Sequence, residues 1–428
     1  MIDFRDKYKD HVDTCIKKTR EVLEATSIDS LVLCSGITRT YFSDDQTMPF
    51  REHPHFARIV PLKGSDHLLQ VTRDRKPLLI RVKKEDFWYA DSFVEDTWWA
   101  EFFEYKEVIS SEDAWNEIVD IKNSAFIGEN TKVALANGIT LDGINPKNLV
   151  ELLDYERSIK TLYEVACIRA ANKIASLGHI RAKEVFYNGG SERDIHFAYL
   201  EGTEQLEREL PYETIVAINE HGSTLHYQHK DAYRKNGASL LLDAGASYNG
   251  YVSDITRTHT TDKSHPIFRE IVSGVELLQK SLVDEITVGK TLKDLHESAH
   301  KKIQELLLEH KILIGNIERI QQFALSKVFF PHGVGHFLGI QVHDVGNARA
   351  NAEHLRTGNK IEVGQVFTVE PGVYFIPTLL AKHRSGDTSA LFNWSLIEQL
   401  LPYGGVRIED NVHVSSAGVV NLTREFLS

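Results

Sequence analysis

A chain of 428 residues with 42% hydrophobic and 26% charged content can bury a large core, and two domains suit its length better than one. Lys and Arg number 49 against 61 Asp and Glu, and the resulting formal charge of −12 repels a phosphate backbone and an anionic membrane surface, which argues against nucleic acid and membrane as partners. The opening Met1–Asp10 lacks the apolar core of a secretory signal, and no run approaches the roughly 18 apolar residues of a bilayer span, so a cytoplasmic protein is expected. Cys15, Cys34 and Cys167 are odd in number and widely spaced, which fits reduced thiols better than a disulfide framework or a thiolate zinc site.

Residues 5 to about 25 carry apolar positions at helical spacing, and apolar runs of strand length follow at Ser30–Cys34, Ala57–Pro61, His67–Val71 and Pro77–Val82. This half reads as a mixed α/β domain, and its Trp88, Trp98, Trp99 and Trp115 fit local core packing. From Ile159 to Tyr187 the spacing predicts a long helix, stopped by Asn188-Gly189-Gly190. A boundary near residue 158 divides the chain into an N-terminal domain, 1–158, and a C-terminal one, 159–428. Ser191 starts the next helix as N-cap, with Asp194 as the acidic partner of a capping box. Strand-like runs at Glu213–Asn219, Ser239–Ala244, Tyr251–Thr260, Gln365–Val369 and Gly405–Val414 then surround helical stretches near 264–285 and 291–311. Helices covering one side of a curved antiparallel sheet is the simplest α+β arrangement of these elements.

The candidate chemistry lies in the second half. Leu240-Leu-Leu-Asp243 and Tyr251-Val-Ser-Asp254 flank the turn-prone Ser247-Tyr-Asn-Gly250, and a hairpin centred on that four-residue loop sets Asp243 directly opposite Asp254. Cross-strand carboxylates about 5 Å apart repel unless a cation sits between them or one holds a proton. Aspartates at strand ends are common, so the hairpin alone leaves both readings open. Glu370 in Val366-Phe-Thr-Val-Glu and Glu409 in Val406-Arg-Ile-Glu each alternate with apolar neighbours, and an acid at the end of an apolar strand is costly to bury unpaired. Arg407 shares the face of Glu409, and a structural salt bridge is the competing explanation for that pair. Pro331-His332-Gly-Val-Gly-His336 through His343 places three imidazoles within 12 residues. Gly333 and Gly335 disfavour a helix and no Glu follows His332, so the helical zinc-protease pattern is not met and a loop or irregular strand is expected. His226 is a fourth candidate imidazole. Gly289-Lys-Thr291 lacks the first glycine of a phosphate-binding loop, since Asp284 stands there, and reads as a helix start.

Taken together and in order, Asp243, Asp254, His336, Glu370 and Glu409 with their flanking motifs resemble the metal ligands of the creatinase/aminopeptidase superfamily, whose catalytic domain has the pita-bread fold. Nearly end to end the chain is similar to the bacterial Xaa-Pro dipeptidases (prolidases) and to the related organophosphorus acid anhydrolases. The motifs that carry the similarity are Asp44-Asp45 with Pro49-Phe50, His53-Pro-His-Phe56, Pro211-Tyr212 to His221, His332 to Asp344, and Phe392-Asn-Trp394 with Gly404 to Asn411.

The resemblance implies a dinuclear-metal dipeptidase acting on Xaa-Pro dipeptides, with a side activity on organophosphate triesters. Aminopeptidase P-like action on longer peptides, or a non-catalytic peptide-binding relative, are the alternatives. Four carboxylates and one imidazole suit two divalent ions, and the nearly all-oxygen ligand set favours manganese or cobalt, with manganese implied by the family. Two such ions can share a water and lower its pKa from about 15.7 towards 7, which would make hydroxide the nucleophile. By the same resemblance His226, His343, Glu370 and Arg407 belong to the catalytic machinery, and His332, Arg356, Tyr212 and Asp45 contact substrate. Arg356 would receive the free carboxylate of the dipeptide. The resemblance also implies a homodimer in which the N-terminal domain helps close the partner's pocket.

Overall fold

The computed structural model describes residues 4–84, 88, 97–346 and 360–427. The chain divides into two compact units, Met1–Arg157 with Thr161–Glu164, and Ser158–Lys160 with Val165–Ser428.

The N-terminal unit opens with α1 (Phe4–Ala25), which buries Tyr8, Val12, Cys15, Ile16, Val22 and Leu23 along one stripe. Five strands follow: β1 (Ser30–Cys34), β2 (Leu68–Thr72), β3 (Leu78–Val82), β4 (Glu104–Val108) and β5 (Ser124–Ile127). They form one sheet in the order β4-β3-β2-β1-β5, antiparallel in the centre and parallel at both edges. The run Ala57–Pro61, expected as a strand, instead lies largely within α2 (Pro54–Ile59). Pro54 at the helix start supplies a preset φ, and Phe56 and Ile59 are buried together at a spacing of three, a helical period that local apolar content alone does not reveal. Three further helices, α3 (Ser111–Asn116), α4 (Thr131–Ala136) and α5 (Lys147–Ser158), complete this region.

In the C-terminal unit α6 (Leu162–Tyr187) stops where Gly189 takes φ +83° and Gly190 N–H returns to the Val185 carbonyl. α7 (Glu192–Thr203) begins with the capping box of Ser191 and Asp194. Its strands are β6 (Ile215–Ile218), β7 (Ser239–Asp243), β8 (Ser247–Tyr248), β9 (Tyr251–Val252), β10 (Thr256–Thr260), β11 (Val366–Val369), β12 (Gly372–Tyr374), β13 (Gly405–Arg407), β14 (Asp410–Ser415) and β15 (Gly418–Asn421). They pair as β10-β7-β6, β11-β14-β15, β12-β13 and β8-β9, all antiparallel, and bridges at Thr256–Glu409 and Phe337–Phe367 join the segments. α8 (Pro266–Asp284) and α9 (Leu292–Glu309) share a core with Phe367, Val369, Val406, Ile408 and Val412. The apolar alternates of β11, β13 and β14 thus face the helices, which leaves the acids of the same segments for the other side. α9 is capped by Thr291 and Asp294, the helix start expected after Gly289.

The hairpin register differs from expectation. Asp243 pairs with Thr256, not with Asp254, because β8 and β9 close on the two-residue turn Asn249-Gly250 instead of a four-residue loop. Both turn residues have positive φ, +49° and +83°, the conformation that the right-handed strand twist favours and that Asn-Gly adopts at least cost. The correction amounts to two residues, so the side-chain face is preserved.

Candidate metal centre

Asp243 ends β7 and Asp254 lies just ahead of β10, and both carboxylates meet the hydroxyl of Tyr212, at 2.6 and 2.5 Å respectively. A phenol has one proton to donate, so one of these two oxygen pairs needs a proton of its own or a cation beside it. The backbone of Asp254 is held by Asn411: its N–H donates to Asn411 Oδ1 at 3.0 Å, and the Asn411 amide donates back to its carbonyl.

His336 arrives on an extended segment that pairs with β11. Thr368 N–H donates to the His336 carbonyl at 2.8 Å, Glu370 N–H donates to that of Val334 at 2.8 Å, and the Thr368 hydroxyl accepts from His336 N–H at 3.0 Å. Gly335 permits the approach, since a Cβ there would lie 2.0 Å from the Thr368 carbonyl oxygen. The pairing brings His336 Nε2 to 3.5 Å from Glu370 Oε1 and 3.4 Å from Asp254 Oδ2.

Glu409 follows β13, bridged to Thr256, whose hydroxyl donates to Glu409 Oε2 at 2.7 Å. Arg407, two residues earlier, sits with its Nε 4.0 Å from Glu409 but makes its close ion pair to Asp243, at 2.5 Å. Its guanidinium also donates to Tyr374 Oη at 2.9 Å, and that hydroxyl lies 2.9 Å from His332 Nε2. His332 Nδ1 is 2.8 Å from the Gly333 carbonyl, which fixes that nitrogen as the protonated one and leaves Nε2 to accept from Tyr374. Gly372 and Gly405 make room for the Tyr374 ring: a Cβ at either would strike it, at 2.7 and 2.4 Å.

Ligand atoms of Asp254, His336 and Glu409 all lie within 4.8 Å of one another, a spacing one ion can bridge. Burial, reinforced by Asp254, Glu370 and Asp243, pushes the Glu409 carboxyl far above the usual range. Burial likewise raises Glu370 to about 7, against the pull of His336 and Arg407, and Asp243 to about 6, against Arg407. Asp254 is held low despite its burial, because it hydrogen-bonds His336, whose own pKa rises to about 9 although burial opposes it. His332 is driven down to about 3 by burial and by Arg407. Four acids thus crowd around Arg407 and one imidazole, and the negative charge left over fits divalent cations held by oxygen and one nitrogen.

The comparisons with known proteins point to a metallopeptidase. Residues 166–416 match metallopeptidase family M24, and residues 6–155 match the Xaa-Pro dipeptidase N-terminal domain. The chain belongs to metallopeptidase family M24. Among the relatives of this metallopeptidase, the Xaa-Pro dipeptidase of Aeromonas hydrophila is 36% identical over 99% of both chains, and that of Pseudoalteromonas translucida 38% over 97% of both. Proline aminopeptidase P II from Yersinia pestis superimposes with a TM-score of 0.76 at 23% identity, covering 96% of each chain. Aminopeptidase P from Escherichia coli in its low-pH form gives 0.77 at 22%, covering 98% of this chain and 96% of its own. At those identities the likeness establishes the shared fold, which is the pita-bread arrangement expected for the C-terminal half.

The remaining candidates of this M24 metallopeptidase differ in how near they lie to the cluster. His343 is exposed, with its ring 4.4 Å from that of His336 and nearly perpendicular to it. His226 is exposed in a turn and near enough to His332 to contribute to that imidazole's low pKa. Asp45 is exposed in the N-terminal unit, and Arg356 lies outside the described residues. Three contributors escaped the sequence reading: Tyr374, Thr256 and Asn411. Tyr374 looks like an ordinary core aromatic in Gly372-Val-Tyr-Phe, and only Gly372 two residues before it hints at its role. Thr256 and Asn411 show no local signal at all, since each acts on a residue more than 150 positions away.

Proposed function

We propose that this M24 metallopeptidase hydrolyses dipeptides ending in proline, using two divalent ions held by Asp243, Asp254, His336, Glu370 and Glu409. The observation that carries the reading is the meeting of these five side chains in one acidic cluster, within a chain similar over its full length to Xaa-Pro dipeptidases. Bound divalent ions supply Lewis acidity and an acidified water. The protein does the rest. His226 and His343 stabilise the charge that builds on the carbonyl oxygen before proline. Glu370 carries a proton to the prolyl nitrogen, which has no N–H and must be protonated to leave as a secondary amine. Arg407 holds Asp243 and, through Tyr374, keeps His332 neutral and oriented towards the pocket. Tyr212 steadies the two aspartates beside the substrate.

Arg356 receives the substrate's free carboxylate and so rejects longer peptides. Asp45 meets the amino end from the partner subunit of a homodimer, the N-terminal domain closing the pocket. Manganese as the metal and a cytoplasmic location complete this reading, and both rest on the family resemblance and the composition. Organophosphate triester cleavage is a side activity of the same site. Side-by-side rates on Ala-Pro, Ala-Pro-Ala and a fluorophosphonate, with metal analysis of protein purified without added ions, test the proposal. Ala-Pro should dominate. A faster tripeptide rate would replace it with an aminopeptidase P-type activity.

A further inference from the structure

Glu192, the first residue of α7, is completely buried, and the four donors it meets come from the last residue of β6 and the segment that follows it. Its Oε1 accepts from Ile218 N–H at 2.8 Å and from His221 Nδ1 at 2.7 Å. Its Oε2 accepts from the Tyr227 hydroxyl at 2.9 Å and from Asp231 N–H at 2.8 Å. Four donors saturate the carboxylate, and they come from both sides of the turn that holds His226. The same turn is closed by the rings of His221 and Tyr227, stacked 4.4 Å apart at 26°. The start of the segment also rests on the strand that bears Arg407: a Cβ at Gly405 would come 2.7 Å from the Gly222 carbonyl oxygen. Arg234 pairs with Glu220 through both nitrogens, at 2.7 and 2.8 Å, and ties its two ends together.

A buried carboxylate is an expensive way to brace a surface loop, since apolar packing could do so without desolvating a charge. What the carboxylate adds is direction: charge-assisted hydrogen bonds fix the backbone on either side of one exposed residue. We infer that Glu192 is a positioning residue of the reaction, holding the 218–231 segment so that His226 stands at a fixed place beside His332. The inference rests on the role proposed above for His226. It makes Glu192 act on turnover through that imidazole alone, although Glu192 itself touches no substrate.

The test is a double-mutant cycle on the manganese-loaded full chain with Ala-Pro as substrate. Glu192→Gln keeps the side-chain shape but turns one acceptor into an N–H2 group facing donors. Turnover should fall about tenfold, the scale expected when a catalytic group is misplaced by a fraction of an ångström, with KM within about twofold and the metal content unchanged. In a His226→Ala background the same substitution should cost less than about twofold. Equal factors in both backgrounds, with His226→Ala itself impaired, would overturn the inference and leave the role of His226 standing. Wild-type turnover in His226→Ala would remove that role and the inference with it. Should Glu192→Gln fail to fold, Tyr227→Phe keeps the ring stack and deletes one of the four bonds. It should slow turnover about threefold, less than the Gln variant because three of the four bonds remain, again only while His226 is present, and an equal loss without His226 would count against the inference.

Discussion

Asp254→Asn isolates charge from packing. The side chain is buried to 5% exposure, Asn matches its volume, and the backbone is held by Asn411 whichever residue is present. Folding should survive. A carboxylate and a unit positive charge 4 Å apart attract by about 4 kcal/mol at an effective dielectric near 20. A divalent ion is attracted at least as strongly, so losing that charge should weaken metal binding by roughly three orders of magnitude or more, and turnover at fixed manganese should fall by a factor of about 100 to 1,000 or more. In chelator two effects oppose each other. The substitution takes the partner away from His336, which holds Asp254 low, and relieves the crowding on Glu409 and Glu370, so the metal-free variant should unfold at or modestly below the wild-type temperature. Manganese titration by calorimetry, Ala-Pro hydrolysis and thermal melts in EDTA measure the three quantities. A variant that keeps a full metal complement and wild-type turnover would take Asp254 out of the site, and a large loss of stability in EDTA would show that its main role is to pair with His336.

Manganese should raise the melting temperature more at pH 8 than at pH 5.5. Asp243 and Glu370 have raised folded-state pKa values, about 6 and about 7, so their contribution to metal-free stability is full below the ordinary carboxylate range and is lost as pH rises through those values. His336, raised to about 9, loses its contribution between about 6.5 and 9 in the same direction, and cations replace the departing protons. Equal shifts at both pH values would refute this. Gly335→Ala should lose manganese binding and about 1–3 kcal/mol of stability, because its Cβ would drive the His336 segment off β11; equilibrium unfolding and metal analysis read both. Tyr374→Phe keeps the ring and removes the hydroxyl between Arg407 and His332, so stability should drop by about 1–3 kcal/mol with metal content retained. Unchanged stability in that variant would mean the hydroxyl is not part of the network.

What could be read from the residues, and what could not, follows from the range of the interactions. Alternation in β11 and β13 separates Phe367, Val369, Val406 and Ile408 from Glu370 and Glu409, because a period of two is a property of each strand by itself. Ser191 with Asp194 was equally legible, since a capping box spans four consecutive residues. The stretch Ala57–Pro61 misled because five apolar-rich residues look alike in a short strand and in a helix end. Tyr374 and Asn411 were out of reach, as the partners that give them meaning are brought up only by long-range pairing. The hairpin shows the dividing line most sharply. Turn chemistry at Asn249-Gly250 moved the register by two residues, so Asp243 faces Thr256 and not Asp254. A slip of one would have sent Asp254 to the opposite face and separated the carboxylates. A slip of two changes the opposing partner while keeping the face, and the two acids still converge on Tyr212. The approach of the two aspartates therefore survives the change of register, because it depends on the parity of the pairing and not on its exact offset.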